Sequence, residues 1–182
     1  MANLTLTGAT SGSTTLAPTD GASATLTLPT GTGTVVTTAN PISGQVIQTV
    51  NTNFQATGAS NYFSTSSTSF VTTGIAVSIT PKFSTSKILV MATGLLQTNL
   101  GATAAYVTIY RNSTNLITQG QGTIYSSGGS EQAPYSLLYL DSPATTSATT
   151  YKTQFASTFN SNQVRICQNN TPATITLLEI AA

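Results

Sequence analysis

Only four side chains of this 182-residue chain carry a carboxylate, the group that most often does acid–base chemistry when histidine is missing. They are Asp20, Glu131, Asp141 and Glu179. A glycosidase needs two carboxyl groups that face each other across a sugar. Glu131 and Asp141 are close in sequence, but one apolar segment separates them. We interpret them as surface acids at the turns on either side of a strand, and not as a catalytic pair.

Other catalytic and metal-binding groups are scarce. The chain has no histidine and one cysteine, Cys167, so the usual general base and the usual zinc ligands are missing. Serine and threonine are abundant, but a nucleophile needs a neighbouring base, and no spacing supplies one. Cys167 is expected to be a small buried side chain. We predict that the protein is not an enzyme and holds no metal and no cofactor.

The charge content also excludes several partners. Five basic and four acidic residues make up 5% of the chain, with a net charge of +1, against about 25% charged residues in a typical soluble protein. Without a basic patch, nucleic-acid binding is not expected. No apolar stretch is long enough to insert into a membrane, and the first residues lack the pattern of a signal peptide. Weak self-repulsion favours association between chains.

The elements that must position these residues are predicted to be strands. Alternating apolar residues and β-branched side chains favour strands, and glycine and proline separate them. Residues 45–50 are ambiguous because Val46, Val50 and Phe54 also share a helical face, but their β-branching favours a strand. The other predicted strands cover residues 74–79, 87–97, 105–111, 135–140, 151–155, 164–166 and 174–180, with a return strand beginning at 116–117 after a turn at 112–115. About eight such strands indicate an all-β fold, an antiparallel β-sandwich or jelly roll.

The first 40 residues differ in amino-acid composition from the rest of the chain. They are rich in Thr, Gly and Leu, and short alternating pieces contain Leu4 and Leu6, then Leu26 and Leu28. Such pieces are too short to form a core alone, but sister copies can bury the leucines against each other. A disordered low-complexity tail is the alternative. We predict an extended β-rich arm over residues 1–40, which anchors the protein, and a sandwich domain over residues 41–182.

Glu179 occurs in the last apolar strand, on the same face as Ile175 and Leu177. A carboxylate at such a position must be exposed, paired or hydrogen-bonded. We hypothesise that it pairs with a cation or a tyrosine hydroxyl near a subunit interface, where it would fix the register. A solvent-facing position at a sheet edge is the alternative.

Tyrosines offer another surface for binding. Tyr106 and Tyr110 are predicted to lie on the same face of one strand, and with four further tyrosines they could stack on a sugar or dock a protein. Packing across strands or between subunits is the more ordinary role. We therefore group Tyr106 and Tyr110 with Glu179, Ile175 and Leu177 as possible interface or register residues.

Eight short stretches of the chain form an ordered set. They are residues 44–50 (GQVIQTV), 66–74 (SSTSFVTTG), 79–81 (ITP), 86–90 (SKILV), 109–112 (IYRN), 140–143 (LDSP), 150–155 (TYKTQF) and 175–182 (ITLLEIAA). In their order and spacing over most of residues 44–182 they resemble phage tail-fibre and virion appendage proteins. The segments 26–29 and 31–34 are similar to phage fibre collars and shafts.

The resemblance implies a trimeric jelly-roll head, similar to those of tumour-necrosis-factor and complement-type proteins. It implies a structural component of a phage virion, made in the host cytoplasm and placed on the particle surface, with capsid or tail components as partners. The alternative is a fibre tip that binds a host surface glycan or protein, for example through a loop over residues 120–132. A polysaccharide-degrading enzyme is disfavoured by the missing histidine.

Overall fold

In a computed structural model, the structure describes residues 39, 41–55, 62–99, 101–118, 121–159, 162–168 and 170–182, with the backbone alone for 121–123. All of them belong to the unit Val36–Ala182. These residues form strands and no helix, which confirms the all-β prediction. The strands are β1 (Val46–Gln55), β2 (Phe63–Thr65), β3 (Val71–Ile79), β4 (Lys87–Thr98), β5 (Thr103–Arg111), β6 (Thr114–Asn115), β7 (Gln121–Ser126), β8 (Glu131–Asp141), β9 (Thr149–Ser157), β10 (Val164–Ile166) and β11 (Pro172–Ile180).

The strands make two antiparallel sheets. The larger sheet has the order β1-β11-β4-β10-β2, and β8 pairs with the other edge of β4. The smaller sheet has the order β3-β9-β5-β6, and β7 also pairs with β5. Without the short strands β2, β6 and β10, the sheets are β1-β11-β4-β8 and β3-β9-β5-β7, which is the strand order of a jelly roll. The predicted fold class is confirmed.

Strand β4 is the centre of the larger sheet. It pairs with β8 along its length, with β11 over its first half and with β10 at its end. Its sequence is apolar on both faces, as expected for a central strand. Ile88, Val90 and Leu96 point inward and are buried, while Leu89 and Met91 point outward and are half-buried. Since each buried aliphatic side chain contributes about 1.5–3 kcal/mol, the inward face of β4 is a major source of stability.

The core lies between the two sheets. In β11, Ile175 and Leu177 are fully buried, while Thr174, Thr176 and Leu178 are half-buried, which is the period-two alternation of a strand with one face in a core. Ile109, Tyr151 and Phe155 of the smaller sheet belong to the same apolar cluster.

Gly94 of β4 shows how closely this core is packed. It lies opposite Tyr135 of β8 in register, and a Cβ at position 94 would lie 2.6 Å from Cε1 of that tyrosine. Because Tyr135 is only 3% exposed, the ring has no free space into which to move. Glycine is therefore required here by the close approach of the ring and not by the backbone conformation.

Some predicted elements differ from the structure. Residues 120–132 are not one loop, because 121–126 form β7 and β8 begins at Glu131. Thr123, Ile124 and Tyr125 have strong strand propensity, but the Gly, Ser and Gln residues on both sides obscure this short signal, and β7 forms through its pairing with β5. The predicted strand over 45–50 is present, but it begins at Val46 and extends to Gln55. The return strand after β5 begins at Thr114, before the predicted 116–117.

Candidate functional site: the acidic residues and the outer face of the larger sheet

Glu131 and Asp141 are the first and last residues of β8. At a rise of about 3.3 Å per residue, they lie about 33 Å apart. The carboxyl groups of a glycosidase lie within about 10 Å of each other. The two acids therefore cannot act on one sugar within this chain.

Asp141 is not a surface acid, so that interpretation was wrong. The residue is 5% exposed, and its carboxylate accepts hydrogen bonds from Nη1 of Arg111 at 2.9 Å to each oxygen. The Tyr151 hydroxyl donates to the same carboxylate at 2.6 Å. Arg111 and Tyr151 come from the smaller sheet and Asp141 from the larger one, so this ion pair links the two sheets. Its burial follows from the pairing of β4 with β8, which no local sequence pattern reveals.

The environment of Tyr151 favours its neutral form. Burial raises the pKa of this phenol well above its usual value, and the hydrogen bond to the Asp141 carboxylate raises the pKa further. A phenol held in this way donates a hydrogen bond and does not act as a base near neutral pH. The cluster of Asp141, Arg111 and Tyr151 is therefore a structural link and not a proton-transfer site.

Glu179 is fully buried, so the solvent-facing alternative was wrong. Oε1 accepts hydrogen bonds from the backbone amides of Lys82 at 2.7 Å and Phe83 at 3.3 Å, and Oε2 accepts one from Nε2 of Gln48. The partners are amides, and not the cation or tyrosine hydroxyl that the sequence suggested. The carboxylate thereby fastens the turn between β3 and β4 to β11 and β1. Its role in fixing a register between subunits stays a prediction.

The other predicted interface residues divide between the core and the surface. Ile175 and Leu177 are fully buried within one subunit, so their side chains contact their own core. Tyr106 and Tyr110 are half-buried on the outer face of the smaller sheet. Contact of a second chain with these tyrosines stays a prediction. The predicted anchoring residues Leu4, Leu6, Leu26 and Leu28 lie outside the described residues.

Cys167 is fully buried, as predicted. Burial raises the pKa of its thiol to about 12. Because the thiolate is the reactive form of cysteine, this side chain is inert at neutral pH. Within the described ranges, no group of three or more acidic, cysteine or histidine residues could hold a metal ion, and no helix there is long and apolar enough to cross a membrane.

The outer face of the larger sheet carries a surface that the sequence prediction missed. Leu138 and Leu140 of β8 point outward and are 67% and 49% exposed. They lie opposite Met91 and Leu89 of β4 in register, and Leu178 of β11 lies on the other side of Leu89. The signal was present in β8, since Leu137-Leu138 and Leu140 place apolar residues on both faces of one strand.

A groove runs beside the same strand. It has a volume of about 570 Å³ and is lined by residues 116–118 and by residues 136–139 of β8. Along this edge β8 has no pairing partner among the described residues. Its lining side chains are aliphatic, aromatic or hydroxyl-bearing and include no charged group, so the groove offers packing and no acid–base chemistry.

Comparison with known proteins adds little to these observations. No protein-family model and no curated protein matches the chain. Among solved structures, the chain is similar to the VP2 subviral particle of infectious bursal disease virus, with a TM-score of 0.38 and 15% identity over 75% of this chain and 38% of that one. The Gx strain of the same virus gives a TM-score of 0.36 and 12% identity over 74% of this chain and 37% of that one. The chain thus spans little more than a third of these chains, and such similarity carries no argument about function.

Proposed function

We propose that this chain is a structural component of a phage virion: a surface fibre, decoration or tail-appendage protein that associates with copies of itself as a homotrimer. Residues 41–182 are its jelly-roll head, and residues 1–40 attach it to capsid or tail components. The sequence resemblance over residues 44–182 predicts a jelly roll. The observation that carries the proposal is that the described strands have this order in two antiparallel sheets.

The state of the acidic residues supports a role without catalysis. Asp141 and Glu179 are buried and hold parts of the fold together through fixed hydrogen bonds. Glu131 is exposed and lies about 33 Å from Asp141 along the strand. A catalytic site needs groups that converge on a substrate. Asp141 and Glu179 stabilise the fold instead, and Glu131 is exposed at one end of β8.

Two measurements test the proposal. Mass spectrometry of purified particles from an infected host should detect peptides of this chain, and an antibody against the head should label the particle surface in electron micrographs. Absence of the chain from purified particles would contradict the virion role. Light scattering on the purified full chain should give the mass of three copies, and a monomer at every concentration would contradict the trimer.

A second candidate function is the binding of a host surface glycan. The end of the sandwich where β8 begins is formed by neighbouring loops: Asn99 donates its amide to the Gln163 carbonyl at 2.9 Å, and the Asn162 side chain donates to the Gly101 carbonyl at 3.3 Å. Phe159 is 52% exposed at this end. An exposed aromatic ring among amide and hydroxyl groups suits stacking on a sugar.

Binding of the purified full chain to host cells tests this second candidate. We expect Phe159→Ala to reduce binding several-fold, because the ring supplies the stacking surface. Ile42→Ala is the matched control, since Ile42 is similarly exposed but lies near Ala181 at the opposite end of the sandwich. Equal binding by both variants and the unaltered chain would contradict the glycan site at Phe159.

A further inference from the structure

We infer that the outer face of the larger sheet is the surface through which one copy of this chain binds a second copy. The inference rests on the self-association in the proposed function, and it adds the location of the contact. The face consists of the outward residues of β8, β4, β11 and β1.

The strand register brings the apolar residues of this face together. Leu140, Leu89 and Leu178 lie side by side on β8, β4 and β11. In the next row Leu138 lies opposite Met91. On the other side of the leucine row, Ile180 of β11 pairs with Val46 of β1. These seven large apolar side chains form one continuous patch. Each of them neighbours another member, either two residues away on the same strand or opposite it on the adjacent strand.

The exposure of this patch is costly in water. Leu138, Leu140 and Val46 are 67%, 49% and 46% exposed, and the other four are half-buried. Single exposed leucines are ordinary, but a contiguous apolar patch marks an interaction surface. The patch is flanked by polar outward residues, Thr93 and Ser136 in the following row and Thr174 beside Thr93. An apolar centre with a polar rim is the usual anatomy of a protein–protein contact.

The charge of the face favours an identical partner. Lys87 is the one charged outward residue among the described parts of these four strands. A basic or strongly acidic partner would find almost no complement here, whereas a second uncharged face can cover the patch without burying unpaired charges. This chain itself has a net charge of +1 and 5% charged residues, so a second copy has the chemistry that the face accepts.

The area of the face is also sufficient. Four strands at about 4.8 Å spacing are about 19 Å wide, and the 12 residues of β4 are about 40 Å long. The flat face therefore measures about 760 Å², close to the roughly 800 Å² that each partner contributes to a stable protein contact. The face is therefore large enough to supply most of one partner's share of a stable contact.

Sedimentation velocity on full-length variants tests the inference. In Leu138→Ser/Leu140→Ser, the concentration at which half of the chains associate should rise about 100-fold, because two apolar side chains leave the contact. The comparison variant is Tyr106→Ser/Tyr110→Ser, which tests the other predicted contact, on the outer face of the smaller sheet; it should associate like the unaltered chain if the contact lies on the larger sheet. Circular dichroism checks that each variant retains its β structure.

A second measurement does not depend on disrupting the contact. Leu138→Cys introduces an outward thiol, while the native Cys167 is buried. Its reaction with a maleimide should be slow in the associated protein and become faster on dilution. Ala76→Cys is the control, since Ala76 is exposed on the outer face of the smaller sheet and should react at one rate at every concentration.

The outcomes separate the inference from the proposed function. If the unaltered chain is a monomer at every concentration, self-association itself is wrong. If it associates and the leucine variant associates equally well, or if only the tyrosine variant dissociates, the contact lies elsewhere and the inference is overturned. Protection of the thiol at position 138 in chains that sedimentation shows to be monomeric would also overturn it, because a segment of the same chain would then cover the face.

Discussion

Two neighbouring leucines of β8 lie in opposite environments. Leu137 is 3% exposed in the core between the sheets, and Leu138 is 67% exposed on the outer face of the larger sheet. The strand alternation alone produces this difference, because successive side chains point to opposite sides. A strand with apolar residues on both faces therefore packs one face into the core of its own domain and leaves the other face available to another protein surface.

The outer face of the smaller sheet does not share this property. Its outward residues include Ser78, Thr150, Lys152 and Gln154, which are half-buried or exposed. Ser78 and Thr150 form a hydrogen bond between their hydroxyls at 2.7 Å, so this face satisfies its polar groups internally and in water. Among the described strands, the exposed large aliphatic side chains thus lie on the outer face of the larger sheet, while the outer face of the smaller sheet carries polar residues and tyrosines.

The largest effect is expected where the two environments of β8 are compared directly. Leu137→Ala should lower the free energy of unfolding by about 3 kcal/mol, because it removes buried methyl groups and leaves a cavity. Leu138→Ala should change it by less than about 0.5 kcal/mol at protein concentrations where the chain is a monomer. Urea unfolding at a low and a high protein concentration measures both. Equal changes in the free energy of unfolding for the two substitutions at low concentration would contradict the assignment of Leu137 to the core and of Leu138 to the exposed face.

Gly94 tests whether the inner side is as full as the contacts indicate. Gly94→Ala should cost about 2 kcal/mol, since its Cβ would overlap the buried ring of Tyr135 and overpacking costs about 1–3 kcal/mol. Gly128→Ala is the control, because a Cβ at Gly128 would meet nothing within 4 Å. Thermal unfolding of both variants gives the difference, and an unchanged transition in Gly94→Ala would contradict close packing at this position.

Glu179 tests a polar contact on the same inner side. Glu179→Gln should cost about 1.5 kcal/mol, because an amide group cannot accept hydrogen bonds at both of its ends from the donors that now surround the carboxylate. Glu131→Gln, an exposed acid in the same chain, should leave stability unchanged. Denaturant unfolding measures the cost. If the associated form of Glu179→Gln is as stable as that of the unaltered chain, the hypothesis of a register role between subunits is wrong.

Alkaline pH should produce a smaller, graded loss of stability. Burial raises the pKa of Cys167 from 9.0 to about 12 and raises those of Tyr135 and Tyr151 above the ordinary 10.0. The folded protein keeps these protons while the unfolded chain releases them, so stability is complete below about pH 9 and falls as the pH rises further. We expect a loss of about 1 kcal/mol one pH unit above the onset.

A cysteine variant sharpens the alkaline experiment. In Cys167→Ala, the onset of the loss should move from near pH 9 towards pH 10, because only the two tyrosines then contribute. Urea unfolding at a series of pH values measures the onset. An onset that stays at pH 9 in this variant would show that another group is responsible.

Local patterns were sufficient for much of the fold and for little of the surface. The alternation in residues 74–79, 105–111 and 174–180 predicted strands because their apolar faces repeat every second residue. The signal in β7 is limited to Thr123-Ile124-Tyr125, because the glycine and serine residues around it have weak strand propensity, and β7 is defined by its pairing with β5. The burial of Asp141 was equally invisible, because Arg111 and Tyr151 reach it from the opposite sheet.

The sequence by itself determined the class of the fold, the absence of histidine and the low charge, because composition and period-two alternation are local properties. Only the tertiary structure decided which apolar strand face is buried in the core between the sheets and which stays exposed. Leu138 and Leu140 come together with Leu89 and Leu178 through strand register between segments that are distant in the chain. Register is set by the packing of the whole sandwich, so the leucines of β8 indicate an apolar outward strand face, but β8 alone cannot reveal the patch that they form with β4 and β11.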